Sequence, residues 1–172
     1  MTKEEMVEFV KNVQGFNAYR EEHPDELIDL SGVDLRGVNL CHANLEGVNL
    51  SDADLERAEL IEARLARANL SGAKLTWANL YQADLFGAKL NETDLSGSVL
   101  QEANLSGANL TEADLHAADL TSANLEGADL RDTENLEKAA LSCVRWGGAK
   151  GVRREIVQAS HLLTESTIIF EK

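Results

Sequence analysis

The side chains whose type and spacing could do chemistry are carboxylates. Asp34, Asp52, Asp54, Glu92, Asp94, Glu112, Asp114, Asp132 and Glu134 recur at steps close to twenty residues. A chain that advanced one coil per twenty residues would stack them into an acidic ridge, interrupted at Lys74. Such a ridge could hold divalent cations through oxygen ligands, meet a basic partner, or simply keep a surface solvated. A second column runs Cys41, Ile61, Tyr81, Gln101, Thr121, with Trp77 and Phe86 beside it. Outward Ile61, Trp77, Tyr81 and Phe86 would form a contact patch for a protein partner. Of the histidines His23, His42, His116 and His161, His42 and His116 fall on different faces and different coils of the repeat and cannot share a site. Cys41-His42 is a lone adjacent pair without metal-ligand spacing. No GxSxG, P-loop, GxGxxG or GGxGxD pattern is present. The expectation is a protein that is not an enzyme, with no catalytic residues, cofactor or metal ligands.

What positions these residues is a ladder. Leucine occupies every fifth position from Leu30 to Leu130 without exception, and small residues such as Ala53, Ala68, Ala88 and Ala123 stand two positions before it. A period of five fits neither a helix at 3.6 nor a flat strand at 2. One unit is too short to bury its own leucine, so burial must come from copies stacked above and below, the logic of a solenoid. An inward side chain every fifth residue implies a corner every fifth residue, and four corners close a coil of twenty.

Units such as Ala68-Asn69-Leu70-Ser71-Gly72 and Ala123-Asn124-Leu125-Glu126-Gly127 resemble the A(D/N)LXX motif of the pentapeptide repeat proteins. The resemblance covers about Asp25 to Trp146. It implies an all-β fold: a right-handed quadrilateral parallel β-helix, here with short helical caps at both ends. Gly32, Gly72 and Gly107 fall at its corners, where a permissive backbone explains them.

Burying some twenty leucines, at about 1.5–3 kcal/mol each before entropy is subtracted, is an ample driving force for one domain. The formal net charge is −14. Residues 1–29 carry 8 acids and 3 bases, residues 30–135 carry 18 and 7, and residues 136–172 carry 4 and 6. An acidic rod with a mildly basic end argues against direct nucleic-acid binding, which requires phosphate neutralisation. The N-terminus lacks a signal-peptide apolar core and no stretch approaches twenty apolar residues, so a soluble, cytoplasmic protein without a membrane segment is expected. Cys41 and Cys143 lie about five coils, roughly 24 Å, apart and cannot pair.

Three segments are expected. In residues 1–24, Thr2 and Glu5 form a capping box, Met6, Phe9, Val10 and Val13 an apolar stripe, Gly15 a break, and Phe16–Glu22 a second turn; together they form a lid on the first coil. Residues 25–146 are the β-helix, with one extra residue within Asp132–Asn135, between Leu130 and Leu136. Residues 147–172 begin where Gly147-Gly148 ends the coil. Val152, Ile156, Ala159 and Leu163 follow at helical spacing, and Thr164–Phe170 reads as an extended tail. This last module caps its own coil or pairs two chains end to end; the monomer is favoured.

The function expected is a protein-interaction scaffold on a rigid acidic rod. Some members of the resembled family bind DNA gyrase or topoisomerase IV as mimics of the duplex, which makes a quinolone-resistance role the alternative the resemblance implies. Leucine instead of phenylalanine at the centre, no inserted loop before residue 131, and Lys74, Arg57, Arg64 and Arg67 depart from that group. The chain looks more like the uninterrupted, Leu-centred bacterial members. A divalent-metal-binding protein is a third alternative.

Overall fold

The computed structural model describes residues 1–160. Parallel bridges join each residue of four columns to the residue one coil on, as in Asn49↔Asn69, Asp54↔Lys74, Glu59↔Asn79 and Arg64↔Asp84. Four columns and four corners thus share each twenty-residue coil. The bonds run both ways: the Leu60 N–H donates to Asn79 O at 2.7 Å, and the Asn79 N–H returns to Ala58 O at 2.9 Å. Every leucine from Leu30 to Leu130 is at most 1% exposed, and the alanines two positions earlier pack beside them. Two small positions are polar, Thr93 and Ser98; their hydroxyls donate to Leu70 O at 2.8 Å and Leu95 O at 2.7 Å, so neither is unsatisfied.

Where Asp or Asn precedes a leucine, as at most units, it has a structural task. Its Oδ1 accepts the backbone N–H two residues on, at the start of the corner: Asp29 from Ser31 at 3.0 Å, Asn79 from Tyr81 at 3.2 Å, Asp119 from Thr121 at 3.0 Å. This is an Asx turn, which only a short side-chain acceptor can make. The next residue closes the corner in left-handed backbone. Positive φ recurs at every fifth residue from Gly32 to Asp132, at charged and bulky side chains as well as glycine: Arg57 has φ 57°, Trp77 58° and Glu92 59°. Glycine adopts this conformation without penalty, other residues at about 1–2 kcal/mol, so corner permissiveness accounts for only part of what occupies these positions.

The N-terminal lid consists of α1 (Lys3–Val10) and α2 (Val13–Glu22). The Thr2–Glu5 capping box is formed. Gly15 does not break the helix; it lies inside α2, and the break falls at Lys11–Asn12, because Asn12 caps α2 by accepting the Gly15 N–H at 3.3 Å. Phe16 is fully buried, with Phe9 edge-on to it at 5.9 Å. Polar side chains finish the seal: Lys3 donates to Ser31 O, Asn17 to His42 O, and Arg20 to Glu26 O and Glu46 O.

At the other end the register holds through Asp114↔Glu134 and has slipped by one at Asp119↔Ala140. The extra residue therefore falls between Glu134 and Ala140: Asn135, the last residue of the expected stretch, is left-handed, and the 3-10 turn Leu136–Lys138 follows it. Nor does Gly147-Gly148 end the coil. It forms a corner, and pairing continues to Asp129↔Lys150. Chain direction changes at Gly151 (φ 73°), where a Cβ would run into the Arg131 backbone. Helix α3 (Arg154–Ala159) then covers the last coil with Ile156 and Val157, and Trp146 donates its Nε1–H to Ser160 Oγ at 2.9 Å. Leu163 and the tail Thr164–Phe170 lie outside the described residues.

Candidate partner-binding surface

The bridge register places each expected residue. Trp77 occupies the corner between Lys74 and Asn79, Tyr81 the next corner, and Phe86 the one after, between Asp84 and Lys89. Trp77 and Phe86 therefore sit at diagonally opposite corners of one coil and cannot share a face. The expected patch of Ile61, Trp77, Tyr81 and Phe86 is not brought together; reading columns without corner order placed both rings beside Tyr81. Each ring is also engaged locally. Trp77, 62% exposed, lies over Gly97, where a Cβ would meet its ring. Phe86 lies beneath the Arg67 guanidinium, 6.0 Å from its centroid. The Tyr81 hydroxyl reaches Glu102 at 3.3 Å, and burial, followed by the Glu102 charge, raises its pKa. Ile61, one coil from Tyr81, is half-buried.

The carboxylates behave differently in the two halves of the rod. Asp34, Asp54, Asp94, Asp114 and Glu134 share one bridge column with Lys74, and Asp52, Glu92, Glu112 and Asp132 line the adjoining corner. Near the N-terminus this side is neutralised by a residue the ridge did not include. Arg36 grips Asp34 at 2.6 and 2.9 Å and approaches Asp54 at 3.9 Å. Those bonds, with the Arg36 N–H, hold the Asp34 carboxyl down to about 2. Beyond Lys74 the side carries Glu92, Asp94, Glu112, Asp114, Asp132 and Glu134, none of which makes an ion pair with Lys or Arg among the described residues. Asp94 and Asp114 cap their corners, accepting from Ser96 N–H at 3.0 Å and His116 N–H at 2.9 Å. Burial pushes the Asp114 carboxyl up, but hydrogen bonds from Asn135, His116 and Ser96 outweigh it and leave it below its usual range. Glu92, Glu112 and Asp132 stand exposed at left-handed corners.

This arrangement can present fixed negative charge. Among the described residues no group of three or more His, Cys, Asp or Glu side chains is placed to hold a metal ion. His42 and His116 are exposed at different corners, and Cys41 and Cys143 are free thiols. No described helix is long and apolar enough to cross a membrane. Sequence reasoning missed Arg36, whose signal was present: it stands two residues from Asp34, the spacing at which Arg131 also grips Asp129.

The family model for pentapeptide repeats matches with 8 copies, among them residues 28–65, 63–101 and 108–145. Among solved structures, the pentapeptide repeat protein Rfr23 of the cyanobacterium Cyanothece 51142 is 30% identical over 78% of this chain and 95% of its own, with a TM-score of 0.35. HetL of Nostoc sp. strain PCC 7120, involved in heterocyst differentiation regulation, is 31% identical over 72% of this chain and 78% of its own, with a TM-score of 0.20. QnrB1, a plasmid-mediated fluoroquinolone resistance protein in its trypsin-treated form, is 19% identical over 83% and 77%, with a TM-score of 0.34. No curated protein matches the sequence. Superpositions at these TM-scores carry no weight; the assignment rests on the repeat match. The chain belongs to the pentapeptide repeat family.

Proposed function

We propose that this protein is a non-enzymatic, cytoplasmic interaction scaffold whose acidic side, from Glu92 to Glu134, docks a basic surface of a partner protein. It does so on the right-handed quadrilateral coil that family membership implies. The observation that carries this reading is the choice of Asp where Asn would serve the corner as well. At the position before leucine the coil needs only an acceptor. Asn supplies that acceptor and also donates its Nδ2–H to the residue one coil back, as Asn69 does to Asn49 and Asn104 to Asp84, both at 2.9 Å. Asp94 and Asp114 forgo that bond and set like charges on neighbouring coils, roughly 4.8 Å apart. Charge gathered on one side, at positions where an amide would cap the corner as well, points to recognition.

The test is capture with the rod as bait, comparing the wild type with Glu92→Lys/Glu112→Lys. A partner lost with the variant, and eluted by salt from the wild type, supports the reading. Capture of the same partners by both forms contradicts it.

A second reading, DNA gyrase or topoisomerase IV as the partner through a duplex-like charge pattern, draws on the same unpaired carboxylates. Supercoiling and quinolone-protection assays at micromolar protein test it; inhibition or protection supports it, and no effect removes it while leaving the scaffold reading intact.

A further inference from the structure

Two arginines that take no part in the acidic side gather on the face opposite to it. Arg67 occupies a left-handed corner (φ 57°) where the neighbouring coils place Gly47, Gly87, Gly107 and Gly127. A side chain there carries a steric cost that glycine avoids. The Arg67 guanidinium lies 6.0 Å from the Phe86 ring centroid and 3.9 Å from the Glu46 carboxylate. Arg64, in the bridge column opposite that of Asp94, reaches the same carboxylate at 3.2 Å.

A third guanidinium comes from the lid. Arg20 of α2 is only 6% exposed, and it donates to Glu26 O at 2.9 Å and Glu46 O at 2.8 Å. Both acceptors are neutral carbonyls. No carboxylate forms an ion pair with Arg20 among the described residues, and its Nε–H, shielded from solvent, has no hydrogen-bond partner there. A buried guanidinium stays charged, so its missing counter-charge is a cost that an anion close by would offset.

The three arginines line one cavity of about 470 Å³ between α2 and the rod. Gly47, with open space where a Cβ would stand, leaves its wall bare. Glu21 and Asp25 also line it, exposed and without an ion pair to any of the three among the described residues. Asp84, next to Arg64 in its column, already accepts from the Phe86 N–H and the Asn104 amide. Three guanidinium groups therefore meet one carboxylate at contact distance, and two positive charges are left over. A phosphoryl group carries about 1.5–2 negative charges near neutral pH and three acceptor oxygens, which match that excess and the fork of a guanidinium. A single carboxylate supplies about half the charge.

We propose that this cavity binds the phosphoryl group of a small phosphate ester. Arg64 and Arg67 turn from Glu46 onto the phosphoryl oxygens, and Arg20 holds the positive floor beneath them. The site is independent of any partner docked on the acidic side.

The probe is phenyl phosphate, titrated calorimetrically into the whole chain, with acetate as the carboxylate comparison. The wild type binds one equivalent with a Kd below about 1 mM, and acetate binds at least about tenfold more weakly. Arg64→Gln/Arg67→Gln weakens phenyl phosphate at least about tenfold, as the loss of charge-assisted bonds requires. Arg57→Gln/Lys74→Gln removes the same charge from the acidic column and its adjoining corner, and changes the affinity no more than about twofold. Glu46→Gln frees both guanidinium groups, keeps the carbonyl that Arg20 uses, and tightens binding at least about threefold, whereas Glu126→Gln does not. A gain of affinity cannot come from misfolding. No saturable binding by the wild type overturns the proposal, as do equal losses in the two double variants or weaker binding in Glu46→Gln. Acetate bound as tightly as phenyl phosphate overturns it too.

Discussion

Two neighbouring sides of the rod share one backbone and differ in what they carry. The side through Asp29, Asn49, Asn69, Lys89, Asn109 and Asp129 is largely uncharged between its ends, and its Asx side chains bond to one another up the coils: Asn49 to Asp29 and Asn69 to Asn49, each at 2.9 Å. Glycines such as Gly87, Gly107 and Gly127 flatten its edge. The side through Asp34 and Glu134 holds the same leucines and the same corner caps, yet it stacks carboxylates on carboxylates. The core and the corners are therefore indifferent to which side carries charge. What distinguishes the sides is information the fold does not need, and the recognition proposed above would use it.

The comparison can be broken at several levels. The largest effect belongs to the shared core. Leu95→Ala beneath the acidic side and Leu90→Ala beneath its neighbour each lose about 2–5 kcal/mol in denaturant unfolding, because both leave a cavity in the same fully buried core. A clearly unequal loss breaks the claim that the sides share one frame. Next come the corner caps. Asn109→Ala, which strands the Thr111 N–H, costs about 1 kcal/mol. Asp94→Ala strands the Ser96 N–H but also removes a repulsion, so its cost is smaller. Asp114→Asn lies close to neutral. The amide keeps the acceptor and gains a donor toward Asp94 but gives up the charge in the bonds from Asn135 and His116, so unfolding stability stays within about 0.5 kcal/mol while partner capture weakens; a loss well beyond that removes the argument that an amide serves the corner as well.

The smallest effect is a titration. The Asp34 carboxyl, held by Arg36 down to about 2, is expected to show that midpoint in an NMR titration, and Arg36→Ala to raise it toward the ordinary range. Because the folded value is the lower one, the stabilisation is present above the ordinary aspartate pKa and is lost as pH falls toward about 2. Beyond Lys74 no arginine or lysine grips the acids of this side among the described residues, and the proposed partner surface is confined to that stretch.

Much of the fold was legible because the ladder is strict. Leucine at every fifth residue dictates the coil, and Thr2 with Glu5 announces the first helix. The corners were not legible. Left-handed backbone at Arg57, Trp77 and Glu92 runs against local preference and is imposed by stacking between coils, a tertiary effect that single-residue propensity does not carry. The same blindness made Gly15 look like a breaker and Gly147-Gly148 like an end, when Asn12 sets the first boundary and Gly151 the second. The acidic column was readable by counting in twenties, and its position diagonally across from the Ile61–Tyr81 corner follows from that count. That Trp77 and Phe86 face apart needed the corner order as well as the period.

The most direct test uses two variants of equal charge. Glu92→Lys/Glu112→Lys and Glu62→Lys/Glu102→Lys change net charge identically, and all four residues are exposed at left-handed corners, but the two pairs lie on diagonally opposite corners of the coil. Decalysine, a minimal basic probe, is titrated calorimetrically into each at about 0.15 M salt, where the Debye length is about 8 Å. The account predicts at least a tenfold weaker affinity for the first variant and no more than about a twofold change for the second, since charges beyond a Debye length are screened. Equal weakening in both would mean that the rod offers only its net charge, and would contradict a one-sided recognition surface.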